Sequence, residues 1–153
     1  MLSKIGLSTL LLASFALLTA PAAADGPHAG KHGPLLIEAT ALGRVVVIDP
    51  ASPLFPFLDL GLNLENISDV PVTVTSIVGE LEFRDGSTSQ FILLDSSGDF
   101  VLDPGFGSVF FALLIVPVDA PRGGATAWVQ VTYEAGGEVL TEEVEVHFAV
   151  RSL

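Results

Sequence analysis

The stretch FLDLGLNLE, Phe57 to Glu65, is the tightest constraint in this 153-residue chain. Leu58, Leu60, Leu62 and Leu64 alternate with Asp59, Gly61, Asn63 and Glu65. A helix would scatter these leucines around its axis. Extended backbone collects them on one side, because successive side chains point to opposite faces. The stretch is therefore a strand with one face for a core and one for water.

The same period of two recurs from Leu35 onward. VTVTSIVGELEF, Val72 to Phe83, alternates, slips near Ser76 to Gly79 and alternates again, which predicts a bulge at Gly79. Arg84-Asp85-Gly86-Ser87 reads as a turn, and Gln90 to Leu94 as the strand after it. VFFALLIV, Val109 to Val116, is apolar throughout and too short to cross a bilayer. It predicts a strand buried on both faces, or a rotated one. Ala135-Gly136-Gly137 marks a hairpin, and the last strand sets Val144, Val146, Phe148 and Val150 against Glu143, Glu145, His147 and Ala149. Seven to nine strands, short turns and no helix predict an all-β, antiparallel β-sandwich over residues 35 to 153, either immunoglobulin-like or cupredoxin-like. There is no internal repeat and no second domain.

The first 24 residues read as a signal peptide. Lys4 supplies the positive end, Ile5 to Ala20 the uncharged apolar run, and Ala22-Ala23-Ala24 the small-residue cleavage site after Pro21. An uncleaved anchor is the alternative, since residues 5 to 24 carry no charge and are long enough to span. Cleavage before Asp25 places the protein in the periplasm or outside the cell and leaves no membrane span. With no cysteine, no disulfide supports the exported domain, and the core must do so alone.

The formal charge is −12. Beyond Lys4, the fixed cations are Lys31, Arg44, Arg84, Arg122 and Arg151, scattered rather than striped, so nucleic acid and anionic lipid are poor partners.

The candidate chemistry is sparse. His147 is the one histidine of the folded part and shares the solvated face of its strand with Glu143 and Glu145. No nucleophile, base and orienting group converge in sequence, and no lysine follows Lys31. Asp95, Asp99 and Asp103 stand four apart in a turn-rich segment, a spacing that fits ordinary turns as well as a calcium loop and lacks the alternation of an EF-hand. Asn66-Ile67-Ser68 matches a glycosylation sequon. In DGPHAGKHG, Asp25 to Gly33, His28 and His32 are the candidate metal ligands, on a flexible leader spanning residues 25 to 34. Its glycines and prolines disfavour the helix that would put both imidazoles on one face, so weak copper or zinc binding is the most they predict.

Three segments resemble the periplasmic copper chaperones of the PCu(A)C type: LNLENISDVPVTVTSI, LDPGFGSVFFALL and WVQVTYEAGGEVLTEEVEV, within Leu35 to Arg151. The resemblance implies a cupredoxin-like sandwich. It also implies a His-x-Met copper pair after Pro104-Gly105, where this chain has Ser108 and Phe110, and the only methionine is Met1. Without soft sulfur ligands the family's copper(I) site is missing. The late-embryogenesis type of β-sandwich is similar too, through Asn66, Pro71 and the strand Val72 to Ile77.

These readings predict an exported, non-enzymatic binding or accessory protein with no cofactor. It would act through a sandwich surface or sheet edge on another exported or envelope protein. The alternative is periplasmic metal handling by His28 and His32.

Overall fold

The computed structural model describes residues 33–95 and 97–153. The signal-peptide expectation and both leader histidines, His28 and His32, lie outside the described residues.

Among the described residues, nine strands form two sheets. The smaller has the order β1-β3-β7, from Leu35–Ala41, Phe57–Asn66 and Gly107–Ile115. The larger runs β2-β9-β8-β4-β5, from Val45–Ile48, Glu138–Ser152, Gly123–Ala135, Val72–Glu82 and Thr88–Leu94, with β6 (Phe100–Leu102) pairing β4 beyond β5. No described residue is helical.

The leucine row of β3 lands as its alternation predicts. Leu58, Leu60, Leu62 and Leu64 are at most 1% exposed. They join one core with Val129, Val131 and Tyr133 of β8 and Val146, Phe148 and Val150 of β9, so the two sheets pack face to face. The Gly136-Gly137 turn closes the β8–β9 hairpin with φ of 59° and 82°. Positive φ at both central residues matches the twist of the flanking strands, and glycine adopts it without steric cost.

Three expectations need correction. The sandwich is not wholly antiparallel, because β2 runs parallel to β9, with Val45 beside Ala149 and Ile48 beside Ser152. The chain leaves β1 through Leu42–Arg44 and crosses to the other sheet, and that crossover sets β2 in the same direction as the last strand. The bulge is not at Gly79. Register slips earlier, between Val74 and Ser76 against β8 and between Ile77 and Val78 against β5. Thr75 serves that irregularity by donating its hydroxyl to the Thr132 carbonyl at 3.2 Å. Gly79 stays in register and is needed for space, since a Cβ there would run into the Trp128 carbonyl and the Phe91 ring. Finally, β7 is not buried on both faces. Ala112 and Leu114 point into the core, whereas Phe111 and Leu113 are 46% and 47% exposed.

Candidate binding surfaces

Strand β7 lies at an edge of the three-stranded sheet, with β3 on one side and no strand on the other among the described residues. It carries no charged residue and no proline over nine residues. Natural edges are commonly blunted by lysine, proline or a bulge, and β7 has none of these. Its outward row is Val109, Phe111, Leu113 and Ile115, and Phe111 pairs with Gly61 of β3, where an added Cβ would lie 3.7 Å from its ring. The other edge, β1, is seven residues long, carries Glu38, and packs beside β9.

A cleft of about 520 Å³ opens where the chain crosses between the sheets. Its walls include Leu42, Val45, Val47, Leu54, Phe55 and Phe57, and two carboxylates, Asp49 and Asp59, line it as well. Leu54 and Phe55 are 76% and 67% exposed at its lip. Phe57 and Asp59 also pair with β7, opposite Ile115 and Leu113, so the cleft adjoins the end of the β7 row.

The sequence singled out other residues, and the structure uses them differently. His147 is exposed. Its Nε2 lies 3.6 Å from Glu145 Oε1 and its Nδ1 3.1 Å from the Thr126 hydroxyl. Asp95 is a turn former, with Oδ1 accepting the Ser97 N–H at 3.0 Å and the Ser97 hydroxyl at 2.5 Å. These bonds to Ser97 hold its carboxyl below the ordinary aspartate range. Among the described residues, no group of three or more histidine, aspartate or glutamate side chains is placed to hold a metal ion.

Asn66 overturns the sequon reading. It is fully buried, and Nδ2, the atom that would carry a glycan, donates to the Val70 carbonyl at 2.8 Å and the Leu102 carbonyl at 2.9 Å. Oδ1 accepts the Ser68 N–H and hydroxyl at 2.9 and 2.7 Å. The motif is a pin that ties the β3–β4 turn to the end of β6. The missed polar anchor is Tyr133. It is buried and donates a hydrogen bond to Glu142 Oε1 on the neighbouring strand. Burial first, then the bond to Glu142 and its charge, push this phenol far above its ordinary value, with the Leu35 N–H pulling the other way. It is a permanent donor rather than a base.

No protein-family model and no curated protein matches the chain. Among solved structures it is similar to a protein described as ApaA from Bordetella pertussis, at 15% identity and a TM-score of 0.58, over 76% of this chain and 93% of that one. It is also similar to the sporulation control protein Spo0M from Bacillus subtilis, at 13% identity and a TM-score of 0.54, over 78% of this chain and 50% of that one. A family 123 glycoside hydrolase from Clostridium perfringens matches at 11% identity and a TM-score of 0.52, over 79% of this chain and 28% of that one. At these identities the likeness is one of fold alone, and it extends over both enzymes and proteins that are not named as enzymes.

Proposed function

We propose that this chain is an exported, non-enzymatic binding module that receives an extended segment of another exported protein along β7. The two facing sheets are, on this reading, an immunoglobulin-like or cupredoxin-like sandwich used as a scaffold. The observation that carries the proposal is the unprotected edge: nine uncharged residues, unpaired on one side among the described residues, with Phe111 and Leu113 half exposed beside it. An added strand would satisfy the free backbone groups, and the outward row would supply pockets for alternate side chains. The non-enzymatic reading draws on His147, which stands in solvent, and on Tyr133 and Asn66, whose polar atoms are engaged in structural bonds.

The test is capture from the envelope fraction on the immobilised exported protein, with hydrogen exchange on the complex. Leu113→Lys places a charge on the edge without entering the core. The expected result is a partner held by the wild type and released by Leu113→Lys, with β7 amides gaining protection. Equal capture by both proteins, or protection confined to another strand, would overturn the proposal. Export is read separately, from the intact mass of the protein in that fraction, which should lack residues 1 to 24.

A further inference from the structure

We infer that the cleft between β2 and residues 49–57 is a binding site for a small organic cation: a protonated amine or guanidinium joined to an apolar body. This is a second site, and it does not depend on strand addition at β7.

The wall is built before any ligand arrives. Asp49 Oδ1 caps the Ala51 N–H at 2.9 Å, the Ser52 N–H returns to the Asp49 carbonyl at 3.0 Å, and the Leu54 N–H donates to the Ser52 hydroxyl at 3.1 Å. Pro50, Pro53 and Pro56 fix three backbone φ angles in the same stretch. The far end is tied to β7 by the Val116 N–H on the Pro56 carbonyl, and the opposite wall to β3 by the Leu42 N–H on the Asp59 carbonyl, both at 2.9 Å. A loop ordered in this way loses little further entropy on binding. The volume, about 520 Å³, falls in the range of small-molecule sites, and an apolar lining with few polar groups is their usual composition.

Charge sets the ligand class. Asp49 and Asp59 line the cleft, and among the described residues no lysine, arginine or histidine does. The ion pair found among the described residues, His147 with Glu145, is elsewhere. Neither cleft carboxylate is therefore neutralised by another described residue, in a chain whose formal charge is −12. An anionic ligand would meet repulsion from both. An apolar cation would meet attraction, in a setting less screened than open water. Leu54 and Phe55, exposed at the lip, are placed to cover its apolar body.

Three probes with one body and different heads test this: 4-phenylbutylamine, 4-phenylbutanol and 4-phenylbutanoate, titrated into the exported protein and followed by amide chemical shifts. The amine should bind at least ten-fold more tightly than the carboxylate, with the alcohol between, and shifts should centre on Val47, Phe55 and Phe57. In D49N/D59N the amine's advantage should shrink to three-fold or less, while the alcohol is unaffected. Asparagine keeps the acceptor for Ala51, so the variant should retain its urea midpoint. Phe55→Ser, at an exposed position, should weaken all three probes. Carboxylate binding as tight as the amine, an unchanged advantage in D49N/D59N, or shifts centred on β7 would overturn the inference. So would tighter binding of an acetylated, amidated Phe-Lys-Phe peptide than of the amine, which would make the occupant a protein segment.

Discussion

The outward row of β7 and the outer face of the larger sheet are built on opposite rules. On the larger sheet, Trp128 of β8 lies between Glu80 of β4 and Glu145 of β9, with Gln130 and Glu143 one step along and Thr126 and His147 one step back. Even the indole is given a polar partner, donating from Nε1 to Glu82 at 3.0 Å. On the smaller sheet, β7 turns Val109, Phe111, Leu113 and Ile115 outward with no charge among them. Both faces are outer faces of the same core, so core formation does not explain the difference. The charged face keeps a large flat sheet in solution. The apolar β7 row has the composition that the proposed strand addition would cover.

The largest effect should appear across the thickness of the small sheet. Leu62→Ala removes a core leucine that is 1% exposed and should cost about 2–5 kcal/mol. Phe111→Ser, on the outward row next to it, should cost less than about 1 kcal/mol, because the ring is already 46% exposed. Urea melts compare the two directly. Equal losses would mean that the outward row is part of a core, and the contrast between the faces would fail.

A smaller loss is expected at the pin beneath that sheet. Asn66→Ala removes the amide donor to the Leu102 carbonyl and one of the two side-chain donors to the Val70 carbonyl, which keeps the Ser68 hydroxyl at 3.0 Å, and should cost about 1–3 kcal/mol. It should also speed exchange of the Gly105 amide, which bonds to the Asn66 carbonyl at 2.9 Å, because the pin holds that turn. A neutral substitution with unchanged exchange would show that water can replace the lost amide at the Leu102 carbonyl.

How far these features were legible follows from their range. The facing of β3 could be read because its leucines alternate without a break, and the Gly136-Gly137 hairpin because two adjacent glycines suit its turn. The exposed row of β7 could not, because VFFALLIV is apolar at every position and only the sheet order tells which side lacks a cover. The parallel pairing of β2 depends on a strand about a hundred residues later. Asn66 was read through its sequon; its buried amide comes from contacts with Val70 and with Leu102, 36 residues away.

On the charged face, Trp128→Phe should change stability by no more than about 0.5 kcal/mol, since the lost bond runs to a solvent-exposed carboxylate. The same substitution should leave partner capture intact. Loss of capture in Trp128→Phe, with Leu113→Lys unaffected, would move the binding surface from the small sheet to the large one.

The smallest effect concerns acids whose bonding partners lie within their own turns. Asp85 and Asp95 flank β5, and each accepts a backbone N–H and a hydroxyl, from Ser87 and Ser97 respectively. The Ser87 and Ser97 hydroxyls, then their N–H groups, lower both carboxyl pKa values against a weaker opposing effect of burial. A carboxyl whose folded value lies below its unfolded value of about 3.9 adds stability that is fully present above that pH. That stability is lost as pH falls through the folded value, because the protonated acid accepts these bonds less well. Carbon-detected titration should therefore place both midpoints below the ordinary aspartate value. Ser87→Ala should move Asp85 upward and leave Asp95 where it was. Both side chains are fully exposed, so the change in global stability should be too small to see in a melt, and the midpoints are the proper readout. If Asp85 titrates at its ordinary value in the wild type, the turn is held by its backbone and Gly86 alone. The charges bordering β5 then serve solubility, as they do across the rest of that face.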